Sequence, residues 1–469
     1  MHTLETPSPV KQPARCALIA AQLRDLMLLV LAAALWVPVA CGPNPTELPG
    51  TASTMPVNRI AYIDSDGQLL TVNPDGTDRR LLTSGTAARS PGILAQPQRR
   101  DRIYSWPVWS PDGERIAVSL ITGSSPSDAE ISVLSLEAST GLGGAVFVND
   151  APLTIADGTP HYVQWSPDGR RLGVTAATPE GLTLFVVDAI PATGAAAPAE
   201  PLPVQRGAPL YFDWSPDGTA LAVHSGEDVS VLRLDDAAGQ LTVQAVSNSR
   251  SFRTPAWSPD GSRLVWSAPG GDSEAVWIGR PGEPDYAPLR LAEVEGTCAF
   301  LWSSDGQTIA VADRQVEGAP AYRRLRVVSV DGSGERVVRE DDWVLGFFWE
   351  PHGTKLAWVA LNEEDRTMEW RLADGSSIHG DSGEAVGGLR FSPSGETFLM
   401  LAFFDQYSRS HSPWAPDGSA LVVSGTQQYL SERRNGSGAG GARVYVTETA
   451  GGGGLSDIAG GGIAVWSTR

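Results

Sequence analysis

Short apolar, β-branched runs recur along the chain, separated by compact polar strings. Arg115 to Ser119, Arg171 to Thr175 and Arg263 to Ser267 are three of them. Each run follows the string Trp-Ser-Pro-Asp-Gly, which is identical at Trp109, Trp165, Trp214 and Trp257 and looser at Trp302, Trp349 and Trp414. The pattern predicts a strand ending in Trp, a tight turn and a second strand. Proline sets φ for the turn, Asp bonds a neighbouring backbone N–H, and Gly takes the positive φ that closes the hairpin. The Trp, at the end of the first strand, is placed to fill the space between one small sheet and the next. A third apolar run follows, as at Glu130 to Leu134, Leu182 to Val187, Val229 to Leu232, Ala275 to Ile278 and Leu325 to Val330, and then a weaker fourth such as Gly334 to Val338. Four strands per unit make the blade of a β-propeller.

The two ends of the chain complement each other. Ile60 to Asp64, Leu69 to Asn73 and Arg80 to Thr83 read as second, third and fourth strands without a Trp strand before them, while Ile463 to Ser467 reads as a first strand that carries Trp466 and then stops. The C-terminal strand is therefore expected to complete the N-terminal blade and remove exposed sheet edges. Counting Trp109, Trp165, Trp214, Trp257, Trp302, Trp349, Trp414 and Trp466 gives an all-β, eight-bladed propeller, with seven blades as the alternative. The interval from Trp349 to Trp414 is the longest. It holds a degenerate turn string, Phe391 to Gly395, with too little chain before Trp414 for four strands. Thr397 to Phe404 is expected there as an extra or outer strand.

The Trp-Ser-Pro-Asp-Gly hairpins, with third strands ending in Asn73 to Gly76 or Val330 to Ser333, resemble the WD40-like PD40 repeats of the TolB group of bacterial propellers. Those repeats are similar to the propeller domain of prolyl oligopeptidases. The resemblance covers residues 57–469 and implies fold more than activity, because such repeats occur in binding proteins and beside hydrolase domains.

Residues 1–40 read as an export signal: Lys11, Arg15 and Arg24 precede the apolar run Leu26 to Val37, which is shorter than the ~20 residues of a membrane span. Cys41, after Ala40 and before Gly42 to Pro45, resembles the lipidated cysteine of a bacterial lipoprotein, which implies an anchor at the extracytoplasmic face of a bacterial membrane. Residues 41–56 then form a flexible tether and 57–469 the propeller. With a formal net charge of −19, the chain is not expected to seek nucleic acid, and its membrane contact is expected through the lipid alone. Cys298 stands on an apolar strand and is expected as a buried small side chain.

Linear signals for chemistry are weak. Gly380 to Gly383 resembles a trypsin-like nucleophile segment, but Glu384 follows it and no triad is evident. The histidines show no paired metal spacing, and the acidic strings at Asp64 to Gly67 and Asn73 to Asp78 read as hairpin turns, so no metal or cofactor is expected. The stretch that breaks the repeat is a candidate binding patch: Phe403, Phe404, Asp405, Tyr407 and His411 combine aromatic area with a carboxylate and an imidazole. Its competing reading is interblade core. The functional expectation is a non-catalytic, monomeric envelope lipoprotein that binds a protein, peptide or glycan. The alternative is a lactonase- or hydrolase-like propeller enzyme with its site on inner strands facing the central channel.

Overall fold

A computed structural model describes residues 58–83, 102–122, 130–149, 162–190, 200–235, 240–250, 253–283, 286–316, 320–362, 367–375, 384–427, 441–450 and 454–469. Residues 1–40, read as an export signal, residues 41–56, read as a tether, Cys41 and the Gly380 to Gly383 string lie outside the described residues.

The Trp-led hairpins fold as the pattern predicts. Trp109 ends the strand Arg102–Trp109, which pairs with Arg115–Thr122, then Glu130–Glu137, then Gly143–Val148, in one antiparallel four-stranded sheet. The same order recurs from Tyr162–Trp165 to Leu202–Arg206, from Leu210–Trp214 to Gln240–Asn248, and from Ala256–Trp257 to Leu289–Val294. A ten-stranded sheet runs from Ala299–Trp302 to Leu455–Gly460. Its units are fused because the strand Glu335–Trp349 pairs with Tyr322–Ser329 along its first part and with Lys355–Leu361 along its second. This is an all-β propeller built of antiparallel four-stranded units.

The ring closes as expected. Ile463–Trp466 pairs antiparallel with Ile60–Ile63, with Trp466 opposite Ile60 and Ile463 opposite Ile63, to form a sheet of the order fourth, third, second, first strand. Backbone bonds extend the seam: Ser467 N–H donates to Arg59 O at 2.7 Å and Asn58 N–H to Arg469 O at 2.5 Å.

Where the turn carries Ser after the Trp, its hydroxyl adds bonds that the spacing alone does not reveal. Ser110 Oγ donates to Asp112 Oδ1 at 2.5 Å and accepts from Arg115 N–H at 2.9 Å, while Asp112 Oδ1 also accepts from Glu114 N–H at 3.0 Å. Gly113 sits at φ 72°, the left-handed region that glycine adopts without a Cβ penalty. Asp260 shows the electrostatic result: the Ser258 hydroxyl and its other donors pull its carboxyl down to about 2. The strings at Asp64 and Asp75 are likewise turns, with Asp64 Oδ1 accepting from Asp66 and Gln68 N–H and Asp75 Oδ1 from Thr77 N–H.

The eight repeat tryptophans are all buried, and five of their indoles bond to the neighbouring unit. Trp165 Nε1 donates to Val108 O at 3.0 Å, Trp302 to Ala256 O at 3.0 Å, Trp349 to Leu301 O at 3.0 Å and Trp414 to Phe348 O at 3.1 Å. Trp109 Nε1 reaches Val465 O at 3.2 Å across the seam. In each case the acceptor is the residue just before the preceding unit's Trp, so a packing residue also fixes the angular step between units. Cys298 is buried, as its apolar strand implies.

The irregular interval departs from expectation. Thr397 to Phe404 is not a strand: Gly395–Ala402 is helix α1 and Phe404–Tyr407 the short helix α2. The cause is local at its start, where the Ser394 side chain accepts from Thr397 N–H at 3.1 Å as an N-cap and Glu396 lies in the positive first turn. The string that resembles a hairpin turn therefore opens a helix. Trp414, expected on a full first strand, makes only an isolated bridge to Leu421.

Candidate functional site

Helix α2 lies where the inner strands converge. Tyr407 stacks on Trp106 with centroids 4.9 Å apart and meets the edge of Tyr162 at 5.2 Å; Phe404 contacts Phe347 at 4.5 Å and Tyr322 at 6.5 Å. Gln406 reaches Phe212, and Asp405 reaches Thr254. These partners belong to the units of Trp109, Trp165, Trp214, Trp257, Trp302 and Trp349. One turn of helix touches so many units only on the axis of the ring, so the insert fills the central channel. Gly346 permits the approach, since a Cβ there would come within 3.1 Å of Phe404 Cβ.

Polar groups hold the insert in place. Gln406 imitates a strand partner: its Oε1 accepts from Phe212 N–H at 3.0 Å and its Nε2 donates to Phe212 O at 2.9 Å, which satisfies the free channel-side edge of Leu210–Trp214. The Gln406 carbonyl accepts from Tyr162 Oη at 2.8 Å. Asp405 accepts from Thr254 N–H at 3.1 Å and lies 3.4 Å from Arg253 Nη1, a buried charge met by both a donor and a counter-ion. His411 packs against Tyr407 and Trp106, with Nδ1 2.8 Å from Ser410 Oγ, and burial pushes its imidazole down to about 3, so it is neutral near pH 7.

Of the five residues singled out as a binding patch, Phe404, Asp405, Tyr407 and His411 are buried inside the ring and Phe403 is partly exposed. The first four supply packing and anchoring. Phe403 and Arg409, whose side chain is 27% exposed, are among the partly exposed residues of the insert.

The structure also brings together residues that the repeat reading passed over. Gln164 and Asp213 stand immediately before Trp165 and Trp214. Gln164 Nε2 lies 3.4 Å from Asp213 Oδ1, Trp257 N–H donates to Asp213 Oδ2 at 2.9 Å, and Arg409 Nη2 lies 3.4 Å from the same oxygen. Burial pushes the Asp213 carboxyl up, against the pull of Arg409 and of its two donors. The available signal was the residue before each Trp: Val108, Ala256, Leu301, Phe348 and Val465 are apolar, and only a comparison of aligned repeats makes Gln164 and Asp213 stand out. Among the described residues no three His, Cys, Asp or Glu side chains converge as metal ligands. A cleft between the turns of Asp217 and Asp260 encloses 130 Å³, below the ~300 Å³ at which ligand pockets begin.

The neighbours in structure are TolB and other β-propellers. TolB from Acinetobacter baumannii is 20% identical with a TM-score of 0.34, the match covering 59% of this chain and 62% of that one, under two-thirds of its length. The β-propeller domain of the Trilobed protease from Pyrococcus furiosus is 12% identical with a TM-score of 0.43, covering 76% of this chain and 97% of that one. Oligogalacturonate lyase from Vibrio parahaemolyticus is 13% identical with a TM-score of 0.42, covering 64% and 80%. No family model and no curated protein matches the chain. At such scores the likeness adds nothing about activity, and the fold rests on the sheets and the seam described above.

Proposed function

We propose that the protein is a non-catalytic cell-envelope lipoprotein, anchored through Cys41, whose propeller binds a protein or peptide partner at the plugged end of the channel. The observation that carries this reading is the insert itself. It is the stretch that breaks the repeat, and contacts from six units hold it in one conformation. Repeated positions are committed to packing, so recognition falls to what departs from them. A rigid platform also loses little entropy on binding. Phe403 and Arg409 are both partly exposed on the insert, and aromatic and arginine side chains are favoured at interface centres. The export-signal reading of residues 1–40 supplies the compartment.

Affinity capture from the native envelope, comparing the parent with Phe403→Ala, tests this function. Loss of about 2 kcal/mol in partner binding by the folded variant, measured well below its melting temperature, is the expected result. Equal capture by the two proteins would remove Phe403 and the plugged end from the binding role.

A further inference from the structure

The rim of the ring is made of fourth strands, and six of them end a sheet with one side open among the described residues. An open side presents unpaired N–H and C=O groups, and proteins guard it with short length, charge, proline or glycine. Arg80–Leu81 is two residues long, Leu202–Arg206 carries Pro203 and Arg206, and Leu289–Val294 carries Arg290 and Glu293. Leu455–Gly460 carries Asp457, and Gly143–Val148 opens on two glycines. The sixth, Gln240–Asn248, is the longest at nine residues and holds no charge, proline or glycine. It is also straight enough to template another strand: from Gln240 to Ala245 it pairs with Asp228–Asp235 in unbroken register, and a bulge comes only after Ala245. Alternation over that stretch puts Leu241, Val243 and Ala245 on one face and Gln240, Thr242 and Gln244 on the other. Val243 is 63% exposed, and Thr242 and Ala245 are exposed as well.

We infer that this edge pairs antiparallel with the same strand of a second copy, joining two rings at their rims through one continuous sheet. The strand is its own complement. A two-fold axis at Val243 sets Val243 against Val243, Leu241 against Ala245 and Thr242 against Gln244, so apolar meets apolar on one face and polar meets polar on the other. Charge favours the same place: each copy carries a formal net charge of −19, and two such bodies meet with least repulsion along a strand that has no carboxylate. A strand pair of this length buries less than the ~1,200 Å² of a standard interface, so the dimer is a weak one, with a dissociation constant of about 10 μM. The edge is the outer strand of its unit, away from the axis, so pairing leaves the plugged end open. A dimer departs from the monomer expected from the sequence.

The test is sedimentation of the full chain in detergent from about 1 to about 100 μM, across which the parent is expected to pass from monomer to dimer mass. Val243→Lys sets two ammonium groups against each other across the axis and should weaken association about tenfold or more. Ala245→Lys, an exposed position on the same face, serves if Val243→Lys does not fold. Val243→Cys should cross-link two copies under mild oxidation, since residues directly opposite lie ~4.5–5.5 Å apart at Cα, within disulfide reach. Leu202→Cys, 52% exposed on a guarded rim strand, should not. A parent that stays monomeric at about 100 μM overturns the inference and leaves the edge to a strand of another protein. A folded lysine variant that dimerises like the parent, or equal cross-linking from the two cysteines, overturns it as well.

Discussion

Replacing Gln406 with Leu isolates the anchor that seats the insert in the ring. Leu has similar volume, so the change leaves little cavity; what it removes is the amide that meets both Phe212 backbone groups, at 3.0 and 2.9 Å. The strand Leu210–Trp214 is the edge of its sheet, and its channel side has no neighbouring strand to replace the amide. Each buried backbone group left unpaired costs ~1–3 kcal/mol. Two such groups, less the gain from burying an apolar side chain, give an expected loss of about 3 kcal/mol. The Tyr162 bond to the Gln406 carbonyl survives, since it uses the backbone. Chemical denaturation reads the total, and hydrogen exchange at the Phe212 amide reads the site, where protection should fall about a hundredfold. Gln406→Glu is the control: it can accept from Phe212 N–H but sets a carboxylate against Phe212 O and next to Asp405, so it should be no more stable than Leu. A Gln406→Leu protein within ~0.5 kcal/mol of the parent, with unchanged exchange at Phe212, would refute the claim that this amide substitutes for a strand.

Three further outcomes follow from the same structure. Trp466→Ala empties a buried site at the seam and should cost about 3–5 kcal/mol, and deleting residues 462–469 should aggregate the domain; a truncated chain melting at the parent temperature would contradict ring closure. His411 is held at about 3, below its ordinary 6.5, so the stability it contributes is fully present above pH 6.5 and is lost as pH falls toward 3. The loss is about 2 kcal/mol by pH 5, and His411→Gln should flatten that part of the pH–stability curve. Cys41→Ser should shift the protein from the membrane to the soluble fraction with a lower mass, and retention with unchanged mass would dismiss the lipid anchor.

The sequence by itself determined the sheets, the turns and the closure, because each follows from a pattern repeated within a few dozen residues. Trp-Ser-Pro-Asp-Gly specifies a hairpin wherever it occurs, and a chain that starts at a second strand and ends at a first one has one way to remove both free edges. The burial of the eight tryptophans was legible for the same reason. Their indole bonds to Val108, Ala256, Leu301, Phe348 and Val465 were not, since the acceptor sits a whole unit away. The insert marks the limit of pattern reading. Thr397 to Phe404 suits a strand by composition, but the Ser394 cap starts a helix there. Gln406 and Phe212 are 194 positions apart, and Arg253 and Asp405 are 152 apart. No local periodicity encodes such pairs. Only the ring, by bringing the inner strands to one axis, decided that Phe404, Asp405, Tyr407 and His411 anchor the insert and that Gln164, Asp213 and Arg409 come together.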